Sequence, residues 1–117
     1  MTRITLALGV ALAALVAAGP IAARPAAATA TTVTVQMKEF KFILSKTKVP
    51  HGSITFKLVN KGKLSHDFRI AGKTSKLISP GKTGTFVVAL KKKGTYVYNC
   101  PVPGHTAAGM KGKLKVT

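Results

Sequence analysis

Acidic residues are almost missing from this chain: 117 residues hold two, Glu39 and Asp67, against nineteen Lys and Arg. That scarcity excludes a hydrolase built on a carboxylate pair. Cysteine occurs once, at Cys100, which rules out an intrachain disulfide framework and any site needing two thiolates. Tryptophan is absent, and histidine occurs three times. The length admits one domain, not two. Chemistry must therefore come from His, Cys, Met or bare positive charge. A net charge of +17 and a pI near 10.7 point to an anionic partner, yet they describe no fold.

Two compositions are joined in the chain. Residues 1–30 hold twelve Ala, and the remainder holds four. Arg3 supplies a basic start, Ile4 to Gly19 is uncharged and apolar, and Pro20 breaks the run. Ala28-Thr29-Ala30 then offers the small–x–small spacing that a signal peptidase reads. These segments predict a secretory signal peptide over 1–30, cleaved after Ala30 or Ala28, and export to the periplasm or the extracellular space. The sixteen-residue apolar stretch is short of the ~20 residues that span a bilayer. Retention as an uncleaved membrane anchor is the second reading. Cleavage after Ala30 leaves 87 residues, 31–117, carrying +15. A domain so small gains from any added source of stability, and a bound metal is one candidate.

From Thr32 onward the hydrophobic period is two. Val33, Val35 and Met37 share a face; so do Phe40, Phe42 and Leu44, then Ile54, Phe56 and Leu58. Phe68 and Ile70, Tyr96, Tyr98 and Cys100, and finally Leu114 and Val116 alternate in the same way. Residues 86–90 form a more continuous apolar run. These patterns predict half-buried strands. Turn chemistry separates them at Pro50-His51-Gly52, Asn60-Lys61-Gly62, Ala71-Gly72, Ser79-Pro80-Gly81 and Lys93-Gly94. No helical stripe is evident. The expectation is an all-β Greek-key sandwich or barrel of seven or eight strands.

One constellation carries chemistry. Cys100 ends a strand and is followed by Pro101-Val102-Pro103-Gly104-His105, with Met110 five residues further on. His66 opens another strand upstream. A thiolate, two imidazoles and a weak thioether form the trigonal site with a long axial sulfur that holds copper for electron transfer. Strand parity turns the Cys100 thiol inward, above Tyr96 and Tyr98. Pro101, Pro103 and Gly104 make a stiff turn that brings His105 back toward it.

Here the chain resembles the cupredoxins, the small type 1 blue copper proteins, and most nearly their plastocyanin- and auracyanin-like members. The resemblance runs through Val49-Pro50-His51-Gly52-Ser53-Ile54-Thr55-Phe56, Asn60-Lys61-Gly62 and His66-Asp67-Phe68. It is most specific over Gly94-Thr95-Tyr96-Val97-Tyr98-Asn99-Cys100-Pro101-Val102-Pro103-Gly104-His105 and Gly109-Met110-Lys111-Gly112. It implies His66, Cys100, His105 and Met110 as ligands of one copper ion. Plastocyanins have a shorter gap between Cys and the second His; the four residues here look more like auracyanins and azurins. Asp67 stands where many members carry Asn. Its backbone N–H can still donate to the Cys100 sulfur, as can that of Val102, while Pro101 and Pro103 have no N–H to give.

Plainer readings exist for each residue. A lone Cys packs as a small hydrophobe, Met110 could be core, and His51 competes as the second imidazole, although its place in a turn argues for solvent. Lys111, Lys113 and Lys115 read as the solvated face of a strand that also guards an edge. The function expected is a small exported monomeric electron carrier, not an enzyme. Cys100 lies between Asn99 and Pro101, so the His-Cys-His link of multicopper enzymes is missing. A copper carrier or storage protein without electron transfer, or a metal-free interaction module, are the alternatives. The partner expected is an acidic redox protein, a cytochrome or oxidase, or an anionic membrane surface; nucleic acid is set aside for want of any recognition motif.

Overall fold

The computed structural model describes residues 30–117, and the leader expected over 1–30 lies essentially outside the described residues. Alternation along the chain becomes nine strands, β1 (Thr31–Lys38), β2 (Lys41–Leu44), β3 (Lys48–Val49), β4 (Gly52–Asn60), β5 (Arg69–Ile70), β6 (Lys73–Thr74), β7 (Thr83–Leu90), β8 (Gly94–Asn99) and β9 (Lys111–Val116). They form an all-β sandwich. One sheet has the order β2-β1-β4-β7 and the other β3-β9-β8-β5-β6. Consecutive strands change sheet at five of the eight connections, so neither sheet is a simple meander.

Period two puts one face of each sheet in the core. Val33, Val35, Met37, Ile54, Phe56 and Leu58 are fully or almost fully buried from the first sheet, and Ile70, Tyr98, Leu114 and Val116 meet them from the second. Residues 86–90, continuous on paper, also alternate: Val88 and Leu90 are buried, Phe86 packs partly against the core, and Val87 is exposed. Strand β7 lies at a sheet edge, where an outward Val costs little. Phe40 departs from its expected face. It sits in the turn between β1 and β2, outside any strand, and is 40% exposed.

Strand number exceeds the expectation because β3 and β6 are two residues long, too short to display alternation. Two pairings are parallel, β1 with β4 and β3 with β9. The second fastens the last strand to Lys48-Val49 in the interior of the chain, with the Thr117 N–H donating to the Val49 carbonyl. Every turn expected from Gly, Pro and Asn falls between strands or at a strand end, with Gly52, Asn60 and Gly94 as terminal strand residues.

Candidate metal centre

Strand β8 delivers Cys100 inward just past its last residue, and the strand β9 begins at Lys111, so residues 100–110 form a loop between two paired neighbours. Backbone hydrogen bonds fasten that loop at both ends. The Cys100 N–H donates to the Met110 carbonyl at 3.0 Å, and the Met110 N–H donates to the His105 carbonyl at 3.1 Å. The His105 N–H in turn reaches the Val102 carbonyl. Thr106 closes the loop from within, donating its hydroxyl to the Cys100 carbonyl at 2.7 Å and accepting from the Asn99 amide. Gly104 and Gly109 take φ of 83° and 112°, backbone that side-chain-bearing residues rarely adopt, which explains glycine at both positions.

His66 arrives from the loop between β4 and β5. It forms an isolated bridge with Ile78, three residues ahead of β5, the strand it was expected to open. Buried Asn60 organises this approach: its amide donates to the carbonyls of Leu64 and Ile78, and its carbonyl oxygen accepts the Gly62 N–H, each at 2.8 Å.

These two loops bring His66, Cys100 and His105 together. One potential ligand atom from each lies within 4.8 Å of the others, and all three residues are buried. His66 Nδ1 and His105 Nδ1 are 3.1 Å apart, and Cys100 Sγ is 3.5 Å from His105 Nδ1. Met110 is fully buried, directly before β9, and its main chain is bonded to both Cys100 and His105. His51 stays outside the cluster, exposed, with Nδ1 2.9 Å from the Thr117 carbonyl oxygen.

Burial dominates the electrostatics of the thiol and pushes the Cys100 pKa up. Backbone N–H groups of Asp67 and Val102 oppose it by favouring the thiolate, the two donors expected from the sequence. The Asp67 carboxylate works the other way. Its charge and its acceptance of the S–H, at 3.5 Å, both favour the neutral thiol. Asp67→Asn keeps the backbone donor and deletes the charge, so the thiol of the metal-free protein should ionise at lower pH. Thiolate ultraviolet absorbance against pH measures this; a titration moved upward would contradict the assignment.

The ring of His105 is largely covered, and the residue is 7% exposed. Phe40 meets its ring edge-on with centroids 5.1 Å apart. Pro103, Gly104, Ala107 and Ala108 are exposed around the same loop. Beneath the site, Phe68 packs against Phe42, Phe56 and Tyr98 with centroids 4.9 to 5.3 Å apart.

Two residues of the site were not anticipated as parts of it: Asn60 and Glu39. Glu39 Oε1 accepts from the N–H groups of Leu64 (2.7 Å) and Lys63 (2.8 Å) and lies 3.1 Å from His66 Nε2. The Leu64 N–H leads the contributions that pull the Glu39 pKa down to about 2, with partial desolvation opposing it. In so basic a chain, a lone acid between Lys38 and Phe40 was the available signal.

Comparison with known proteins agrees with this geometry. A family model described as the cupredoxin-like domain matches residues 7–116. Auracyanin-B of Chloroflexus aurantiacus is 44% identical over 41 residues, a match spanning 35% of this chain and 17% of that protein. The fold resembles that of a reduced auracyanin from Roseiflexus castenholzii, with a TM-score of 0.67 and 24% identity over 75% of this chain and 98% of that one. It also resembles a copper nitrite reductase from Nitrosomonas europaea, at a TM-score of 0.60 and 20% identity over 74% of this chain and 41% of that one. With matched family, two-sheet sandwich and His-Cys-His cluster in agreement, the chain belongs to the cupredoxin-like domain family.

Proposed function

We infer that this protein is a type 1 copper electron carrier. The observation that carries the reading is the buried convergence of one thiol and two imidazole nitrogens within 4.8 Å in a cupredoxin-like sandwich. The donor set fits the ion: soft sulfur suits Cu(I), and imidazole accepts both oxidation states. Copper bound there would supply a one-electron Cu(I)/Cu(II) couple. The residues that would hold it are His66, Cys100 and His105, with the Met110 thioether as a weak fourth donor.

The chain's own contribution is a rigid frame. Hydrogen bonds across the loop mouth hold Cys100 and Met110 in one arrangement, and Asn60 fixes the other approach. Electrons would enter and leave beside His105, under Phe40 and the small residues Pro103, Gly104, Ala107 and Ala108. Nothing in this reading needs catalysis. Export by the leader, action as a monomer and an acidic partner complete the proposal. A surface this basic repels copies of itself.

Charge distribution supports the partner's sign. Register places Lys48, Lys111, Lys113, Lys115 and Arg69 on the outward face of the second sheet, five cations without an acid among them. On the opposite face, Thr and Ser fill half of the outward positions of β1, β4 and β7, with Lys38 and Lys57 as the cations there. Among the described residues no helix is long and apolar enough to cross a membrane.

Loading purified protein with Cu(II) should give an intense blue or green colour from sulfur-to-copper charge transfer, with a reversible one-electron wave in voltammetry. A colourless complex would overturn the reading, and colour without a reversible wave would favour copper delivery. Electron transfer to an acidic protein should slow as salt rises, since the Debye length is ~10 Å at 0.1 M. A flat salt response would show that the lysines do not steer docking.

A further inference from the structure

Both acidic side chains of this chain lie at the metal centre. The sequence has two acids among 117 residues; Asp67 lies against Cys100 and Glu39 against His66. Glu39 comes from a different part of the chain, the turn that follows β1, and reaches the site from behind the imidazole. Its Oε1 receives the backbone N–H groups of Lys63 and Leu64, which aim the carboxylate at His66 Nε2. Gly62 leaves room for this. A Cβ there would lie 2.5 Å from Oε1 and 2.8 Å from Oε2.

An imidazole has one proton to place when neutral, and the group facing each nitrogen decides where it goes. A carboxylate accepts only, so the proton of His66 belongs on Nε2. Nδ1 then carries a lone pair, and it is Nδ1 that lies 3.1 Å from His105 Nδ1 inside the cluster. A carboxylate behind a ligating imidazole also makes the ring a better donor, and its charge favours the higher oxidation state of a bound ion. The Glu39 side chain is 27% exposed, so water screens part of that charge and leaves part.

Building on the copper reading, we propose that Glu39 is a positioning residue of the centre: its carboxylate fixes His66 as the Nε2–H tautomer and biases the site toward Cu(II). A turn brace alone would need only the Lys63 and Leu64 contacts. The contact with His66 and the room left at Gly62 serve the ligand.

Glu39→Gln retains an accepting oxygen and removes the charge. The expected result is a roughly tenfold or larger fall in the affinity for Cu(II) relative to Cu(I), at the low end of the 10–100-fold effects of such partners. For a one-electron couple each tenfold change is 59 mV, here an upward shift in midpoint potential. Glu39→Asp should recover part of the shift if it recovers the contact. Gly62→Ala, which pushes the carboxylate off His66 without changing charge, should move the potential in the same direction. An unchanged potential in Glu39→Gln, with only a lower unfolding midpoint, would overturn the proposal. The metal-free wild type gives a test independent of copper and of any variant's folding: nitrogen NMR at neutral imidazole should find the His66 proton on Nε2. A proton on Nδ1 would overturn the proposal even if copper turns the protein blue. A colourless copper complex with the Nε2 proton in place would instead defeat the copper reading and leave the tautomer assignment standing.

Discussion

Cys100→Ser should abolish the intense visible band of the copper-loaded protein while leaving the sandwich folded. Sulfur is the electron-rich donor whose charge transfer to Cu(II) gives the colour, and a serine hydroxyl is both harder and far less acidic than a thiol. The substitution removes little volume from the core. The new hydroxyl also has an acceptor available, since Asp67 Oδ1 already lies 3.5 Å from Sγ. The metal-free variant should therefore lose less than about 2 kcal/mol of stability, within the range for a buried polar group that finds a partner. Visible absorbance and denaturant unfolding, measured on the same preparation, separate the two effects. A variant that keeps its colour would place the thiolate outside the centre.

Phe56→Ala should have the reverse profile, with large loss of stability and no direct effect on the ligands. Phe56 is fully buried in the middle of β4, opposite Val33 on one neighbour and Phe86 on the other. Its ring lies 4.9 Å from that of Phe68, the aromatic beneath the site. Truncating a buried Phe to Ala typically costs ~3–5 kcal/mol, through lost transfer energy and the cavity left behind. Against the roughly 5–15 kcal/mol of a whole domain, that is a large fraction. For a domain of this size it lowers the melting temperature by more than about 10 °C. Phe56→Leu, which keeps most of the volume, should cost less than about 1.5 kcal/mol. Thermal unfolding of the metal-free proteins measures both. A loss under about 1 kcal/mol for the alanine variant would mean that β4 does not carry the core.

Much of this was legible in residue order because both kinds of signal are local. Alternation at Val33, Val35 and Met37, or at Ile54, Phe56 and Leu58, is written within a few residues and survives folding unchanged. The cluster likewise has three of its proposed members inside one eleven-residue stretch, so spacing alone put Cys100, His105 and Met110 together. What escaped was non-local. Glu39 lies twenty-seven residues from His66, and only the β1–β4 pairing brings its turn to the 62–64 loop. Phe40 shares the parity of Phe42, but the turn it occupies rotates it outward over His105. Strand β3 has two residues, and its partner β9 lies more than sixty positions away.

That last pairing bears on when the protein becomes competent. Strand β9 lies between β8 and β3, and its docking defines the far end of the loop that holds Cys100, His105 and Met110. A nascent chain ending at Met110 would possess every proposed ligand and lack the frame that orders them. Long-range pairings of this kind also make folding slow, milliseconds to seconds in all-β domains. On the copper reading, metal capture would thereby be deferred in time: the chain would have to be complete through Val116 before it could hold an ion in one geometry.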